Sequence, residues 1–520
     1  MRHSVGAPLP RRNSLARLEW GDSVSTLEIL TEVSFGQRVA EEEGEQLAAY
    51  FVETDHWRRL FSDGVDVVYG PKGAGKSALY SLLVARRTQL FDRGVLLALG
   101  ENPRGTTAFT ALVADPPATE REFVALWKLY LACLISATLD EYGVSSAAAS
   151  ELRARLEESG LRPRQKNLQA LLVSTFDYIK QLLRQGAIEV GVKLDPNTGL
   201  PAGLIGKISF TEPSPKQAEH GVTSVQQLLQ LGEEALADSG YSIWILLDRL
   251  DVAFSESPEL EQNALRALFH VYLDMLALSH LRLKIFLRTD IWRRITTAGF
   301  REASHITRHL TIEWNRGSLL NLVVRRAAQN PSLLQHFQTS KEQVLAAAES
   351  QNQFFYRVFP DQVEAGPRKA NTLDWMLGRT FDGTRQNAPR ELVHLLNSLR
   401  DVQVRRLEIG DPEPDGGRLF ARGVFKDALP EVSRTRLEQT LYAEYPEARD
   451  AIEELRGEKT QHTIDSLAGI WKKSSDETLH IANTLVEIGF FEQRGERDAP
   501  VLWVPFLYRD ALDLVQGAAD

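Results

Sequence analysis

The chain carries a single cysteine, Cys133. One thiol closes no internal disulfide and builds no thiolate metal site, and its place in an apolar helical pattern marks it as a buried side chain rather than a nucleophile. Long apolar runs are missing too. None approaches the roughly 18 residues that a membrane span requires, and the N-terminal MRHSVGAPLPRRNS lacks the apolar core of a signal peptide. Both absences lead to the expectation of a cytoplasmic protein with no membrane contact. Excess positive charge is also lacking: 70 acidic residues outnumber 60 basic ones, for a net charge of −10. That balance disfavours nonspecific adhesion to nucleic acid over the whole surface and leaves only local basic stripes for it. At 520 residues, 43% of them hydrophobic and 25% charged, the chain reads as globular with more than one core, about two to four domains.

Against these absences stands one dense stretch. Gly70, Pro71, Lys72, Gly73, Ala74, Gly75, Lys76 and Ser77 spell G-x-x-x-x-G-K-S between the apolar run of Val65, Val67 and Val68 and a helical pattern continuing from Ala78. Glycines at these positions let the backbone curl until its amides face one point, where a polyphosphate accepts several hydrogen bonds. The following helix adds the positive end of its dipole. Lys76 is expected to reach the β- and γ-phosphates of ATP, and the Ser77 hydroxyl to ligate a bridging magnesium. A glycine-rich surface turn is the bland alternative, and the strand before and helix after the loop argue against it.

Two further strand tips belong with the loop. Tyr241 to Leu247 is an apolar strand that ends in Asp248-Arg249-Leu250-Asp251, the pattern in which a carboxylate at a strand tip holds the magnesium. Asp248 takes that role. Many such ATPases place Glu next, but here Arg249 stands there, so Asp251 is the nearest acid able to orient water, with Glu256 behind it; the alternative makes Asp251 the start of a turn toward the helix that Pro258 opens. The strand Leu283 to Leu287 ends in Arg288, which could sense the γ-phosphate or pair with a neighbouring carboxylate. His309 to Trp314 supplies one more short strand, and Arg293, Arg294, Arg301 and Arg308 are available to act across a subunit interface.

The fold class expected is α/β: a P-loop NTPase core with a parallel sheet, then an α-helical lid and a C-terminal winged-helix domain. The boundaries run 1–50 for an N-terminal arm and helix, 51–315 for the core, 316–410 for the lid, 411–462 for a linker and helices, and 463–520 for the winged helix. Alternating residues near 188–211 predict a β-hairpin insertion in the core, and Thr223 to Ala237 a capped helix. Thr54-Asp55 caps a helix that carries Trp57. In the lid, Ala388-Pro389-Arg390 opens a helix with proline at its first turn, and Arg390 is a candidate trigger for lid closure or simply a surface arginine. The presumptive recognition helix of the winged-helix module, Asp476 to Glu487, has Asp476, Glu477 and Glu487 and no Lys or Arg. Phosphates would be repelled there, so a protein-contact role fits better than sequence reading. A DNA role would have to draw on Arg379, Arg385, Arg400, Arg405 and Arg406.

Together GPKGAGKS, ILLDRLD, FLRTD, NAPRELVHLL and the terminal winged helix resemble the P-loop ATPases lying between the AAA+ origin-recognition group and the STAND signalling group. More narrowly, the chain is similar to a bacterial P-loop ATPase family with the DRLD form of this strand tip, members of which turn up in phage-defence islands. The resemblance implies nucleotide-binding roles for the loop from Gly70 to Ala78, magnesium roles for Ser77 and Asp248, and the acidic role of the D-x-x-D signature for Asp251. It implies sensor roles for Arg288 and Arg390. It further implies a slow ATP-hydrolysing switch that acts as a homo-oligomer on a separately encoded effector. The competing readings are an ATP-dependent DNA loader of origin-recognition type and a nucleotide-stabilised scaffold without turnover.

Overall fold

Odd and even residues of the central strands point to two different cores, as the period of a β-strand requires. Val67, Tyr69, Ile243, Ile245, Leu283 and Ile285 face one, while Val68, Trp244, Leu246 and Phe286 face the other. The strands are therefore buried on both sides, which explains why they read as unbroken apolar runs. A computed structural model describes residues 25–38, 43, 47–51, 54–100, 119–161, 168–184, 208–210, 212–219, 221–250, 258–496 and 499–519. Among these, the main sheet is built from β1 (Val67–Gly70), β2 (Val95–Leu99), β3 (Ser242–Leu247), β4 (Leu281–Arg288) and β5 (His309–Thr311). Their spatial order is β2-β3-β4-β1-β5, and every neighbouring pair is parallel.

Helices cover both faces. Glu120–Glu141, Val225–Ser239 and Pro258–Met275 pack on one, and Asp55–Phe61 with Lys76–Ala85 on the other. Thr54 caps the Asp55–Phe61 helix by accepting from the Trp57 amide at 3.3 Å. The expectation that no segment approaches a membrane span needs correction, because Glu120–Glu141 is 22 residues long and apolar enough by composition. Its apolar window is 78% buried inside the protein, so the helix is apolar all round because it lies at the centre of the first core. The expected helix at Thr223 begins instead at Val225. Thr223 and Ser224 form a short strand paired in parallel with Ile208–Ser209, and Ser224 then caps the helix in a capping box with Gln227. The hairpin expected near 188–211 lies, up to 207 and at 211, outside the described residues; where described, Ile208–Ser209 pairs with that distant strand.

A third core gathers the rest. It contains helices Arg316–Ala327, Ala348–Val358, Thr372–Thr380, Pro389–Glu408 and Val424–Arg436, and also the N-terminal helix Thr26–Glu32 through Ile29 and Leu30. The C-terminal module joins the same core. Its sheet runs in the order Val515–Ala518, Lys459–His462, Ala499–Trp503, Glu492–Glu496, with helices Ile464–Trp471 and Ser475–Glu487 between the first strand and the hairpin. That is a winged helix. It is seated on the lid: the Gly383 amide donates to the Gly489 carbonyl at 2.7 Å, and the backbone of Phe491 leaves no room for a Cβ at Gly383.

Candidate functional site

In a parallel sheet the C-terminal strand tips share one edge, and ligands bind along it. Gly70 closes β1 and pairs with Arg288 at the end of β4. On the other side of β4, Leu247 of β3 pairs with Ile285, and Asp248, 5% exposed, follows it. The phosphate loop, Asp248 and Arg288 thus stand on adjacent strands because each is the residue at which an apolar run stops.

Within the loop, Gly73 has φ +78° and Gly75 φ +101°, left-handed values that a side chain would strain. Gly75 opens the Lys76–Ala85 helix without a side-chain cap, leaving the first amides of that helix to an anion. Lys76 Nζ donates to the carbonyls of Gly70 at 2.8 Å and Pro71 at 3.1 Å, so the ammonium is folded over the start of the loop. Trp314 Nε1 donates to the Ala74 carbonyl at 2.8 Å and fixes the loop from beyond β5. From the lid side, a Cβ placed on Gly73 would lie 3.1 Å from Arg390 Cβ and 3.2 Å from Ala388 Cβ. The start of the lid helix therefore rests directly on the loop.

These residues border one cavity of about 410 Å³, the size range of cofactor sites. Lys72, Gly73, Ala74, Gly75, Lys76, Ser77 and Ala78 line it together with Asp248, Arg249 and Arg288. Leu47, Phe51, Ile312 and Trp314 add apolar lining, and Arg390 and Val393 border it from the lid helix. Gly70 and Pro71 contribute the carbonyls that hold Lys76. The sequence-derived constellation is thereby brought together, with the exception of Asp251 and Glu256, which lie outside the described residues. Arg249 adds a finding of its own: φ +57° is the left-handed region, uncommon for a side-chain-bearing residue and concentrated at functional sites.

Arg288 pairs with a neighbouring carboxylate, one of the two expectations for it, and also borders the cavity. The pair with Asp290 is two-pronged, Nε to Oδ1 at 3.1 Å and Nη2 to Oδ2 at 2.8 Å. Burial alone would raise the Asp290 carboxyl, but the charge and hydrogen bonds of Arg288 outweigh it and hold the group below its ordinary range. Arg288 Nη2 also donates to the Tyr445 hydroxyl at 3.0 Å and pairs with Glu444 Oε2 at 3.0 Å. Tyr445 in turn donates to Asp290 at 3.0 Å, and burial, then Asp290, push its hydroxyl up to about 12. Glu444 reaches Lys72 as well. Glu444, Tyr445 and Trp314 escaped the sequence reading; Y-A-E-Y-P in a helical stretch carries no motif, and a tryptophan after a short strand reads as ordinary core.

The hard-oxygen donors Ser77 and Asp248, both lining the cavity, fit a magnesium held by few protein ligands and completed by phosphates. Among the described residues there is no group of three or more His, Cys, Asp or Glu arranged to hold a metal alone. The glycine cradle and the uncapped helix start fit a nucleotide's phosphates.

Arginines named for other roles are engaged elsewhere. Arg308 Nε pairs with Asp66 at 2.6 Å, at the opposite end of the strands from the cavity, and Arg294 pairs with Glu261 at 2.7 Å. Arg379 stacks on Phe506 with its guanidinium carbon 3.9 Å from the ring centre. Arg385 pairs with Glu492, Arg400 donates to the Val33 carbonyl at 3.1 Å, and Arg406 pairs with Asp427. They face different elements rather than one groove.

No family model matches the sequence, and no curated protein matches it. Among solved structures, the chain is similar to the Aeropyrum pernix ORC1 protein in complex with DNA, at 13% identity and TM-score 0.37 over 92% of this chain and 96% of that one. It is also similar to the Aeropyrum pernix ORC2 protein in its ADPNP–ADP complexes, at 11% identity and TM-score 0.30 over 92% and 95%. Cdc6p from Pyrobaculum aerophilum follows at 11% identity and TM-score 0.30 over 89% and 96%. Superposition this loose carries no argument about activity. The fold class rests on the sheet itself: an α/β P-loop NTPase core with a five-stranded parallel sheet, followed by helical and winged-helix parts.

Proposed function

We propose that the chain is a magnesium-dependent ATP-binding and ATP-hydrolysing switch whose lid and winged helix respond to the nucleotide. The observation that carries this reading is the convergence of the Lys76 loop, Asp248 and Arg288 on one cavity bordered by the helix that bears Arg390. Loop amides from Gly73 to Ser77 and the helix start bind the phosphates, and Lys76 neutralises them. Magnesium, held by Ser77, Asp248 and phosphate oxygens, supplies charge neutralisation when bound. Asp251, with Glu256 in reserve, is the proposed group that orients water. Phosphoryl transfer at such sites is positioning and charge stabilisation, and the arginine in place of the usual glutamate after Asp248 favours slow turnover.

Assembly into a homo-oligomer, with an exposed arginine such as Arg293 or Arg301 completing a neighbour's site, belongs to the same proposal, as does a separately encoded protein effector in a cytoplasmic phage-defence setting. The exposed face of the Ser475–Glu487 helix presents Asp476, Glu477, Leu479, His480 and Glu487, which supports a protein contact over DNA. The deciding experiment measures phosphate release and ATP binding by calorimetry in the full chain. Lys76→Ala and Asp248→Ala are expected to abolish turnover, and wild-type rates in either variant overturn the reading. Tight binding of ATP recovered intact after long incubation would leave the scaffold alternative instead.

A further inference from the structure

Three cations converge at the start of the phosphate loop. Lys76 Nζ is bonded to the carbonyls of Gly70 and Pro71, Lys72 follows Pro71, and Arg288 is the strand partner of Gly70. The ammonium of Lys76 is the group expected to meet the terminal phosphates, so this is the γ-phosphate end of the cavity. The anion found between Lys72 and Arg288 is the chain's own Glu444. One carboxylate oxygen takes Lys72, the other takes Arg288 at 3.0 Å, and its side chain is only 16% exposed. Tyr445 reinforces the arrangement through Arg288 and Asp290.

Building on the nucleotide reading above, we propose that Glu444 is a nucleotide-discriminating residue: its carboxylate stands in for the terminal phosphate, so this arrangement of the chain selects a nucleoside diphosphate over the triphosphate. A γ-phosphate brings more negative charge to the same two cations and repels the carboxylate, so triphosphate binding detaches Glu444. The detached segment is well placed to pass the event on. Tyr442–Glu444 follows a π-helical turn, Leu437–Leu441, a feature that recurs at functional sites. Before that turn, Arg436 is buried and donates to Glu391 Oε1 at 2.8 Å, next to Arg390 on the lid helix, while after the segment the chain enters the winged helix. The diphosphate leaves the Glu444 contacts intact and holds that connection shut.

The test is equilibrium titration of the full chain with fluorescent ADP and ATP analogues in magnesium, in wild type and Glu444→Gln. The amide keeps the shape and removes the charge. The ratio of ATP to ADP affinity is expected to rise about 10-fold, within the usual span of coupling between linked events. Amide hydrogen exchange at Tyr445, whose N–H bonds to the Leu441 carbonyl at 2.9 Å in the closed arrangement, should accelerate with ATP and not with ADP in wild type. An unchanged affinity ratio overturns the proposal, and so does nucleotide-independent exchange. If Glu444→Gln does not fold, Tyr445→Phe decides, with a smaller rise of the ratio expected and an unchanged ratio overturning it. Binding that is insensitive to Lys76→Ala would instead defeat the nucleotide reading itself, whereas Lys76-dependent binding with an unmoved ratio defeats only the role of Glu444.

Discussion

Lys284 has no solvent exposure at all, in the middle of the central strand β4. A buried ammonium persists only when paired and hydrogen-bonded, and here Nζ donates to Asp63 and to the Val65 carbonyl at 2.6 Å and to Asp66 at 2.9 Å, over the Trp244 ring. Asp66 also takes Arg308 Nε at 2.6 Å. Burial pushes the Asp66 carboxyl up, but Arg308 and Lys284 together outweigh it and leave the group below its ordinary range. A depressed carboxylate stabilises the fold fully above its unfolded value of about 3.9, and that contribution is lost as pH falls through the lowered folded value. Lys284→Met leaves Asp66 buried with half of its charge partners, a loss on the order of 3–5 kcal/mol, and moves the acid-unfolding midpoint upward. Circular dichroism across pH 2 to 6, roughly the carboxylate window, checks both shifts; an unmoved midpoint would mean that the cluster holds nothing together.

At the scale of elements, what matters is one contact between the phosphate loop and the lid helix. Gly73 and Gly457 share φ +78°, but a Cβ on Gly73 meets Arg390 and Ala388 at 3.1 and 3.2 Å, and one on Gly457 meets nothing within 4 Å. Either alanine pays the left-handed cost of about 1–2 kcal/mol. Only Gly73→Ala also pushes the lid helix off the loop, so it alone should weaken ATP binding, by about tenfold if the contact is worth some 1.4 kcal/mol. Titration of the two variants side by side isolates the lid contribution; equal affinities would show that the lid does not rest on the loop in solution. The pieces of this contact were legible in the sequence because each is local: a glycine spacing, an apolar run stopped by Asp248 or Arg288, a proline in the first turn at Pro389. Glu444 was not legible for the opposite reason. Its role exists only because Tyr445 is brought to Arg288 across 157 residues of chain, and no periodicity records a partner at that distance. The acidic helix of the winged module was readable from composition, while its seat on Gly383 depends on backbone approach that composition does not encode.

For the molecule as a whole, a single guanidinium ties three parts together. Arg436 Nη1 donates to Glu391 at the start of the lid helix at 2.8 Å, Nη2 pairs with Asp382 at 3.4 Å, and Nε meets the Tyr508 hydroxyl of the winged helix at 3.5 Å. Burial acts against its charge, and Tyr508, Glu391 and Asp382 together more than restore it, so the group stays charged. Burial conversely raises the Asp382 carboxyl, with Arg436 opposing. The surrounding core is continuous from Ile29 of the N-terminal helix through Leu392 of the lid to Leu502 and Tyr508 of the winged helix. Arg436→Met strands two carboxylates in that core, and the cost is expected to be about 3–5 kcal/mol. Because the core is shared, the loss should spread through it. Hydrogen exchange is expected to quicken together in the Thr26–Glu32 helix, the Pro389–Glu408 helix and the Lys459–His462 strand, while amides of β3 and β4 keep their protection. Loosening confined to the loop around Asp382 would mean that the lid and the winged helix are neighbours without being one cooperative unit, and a signal leaving the nucleotide would then have to reach the winged helix through Glu444 alone.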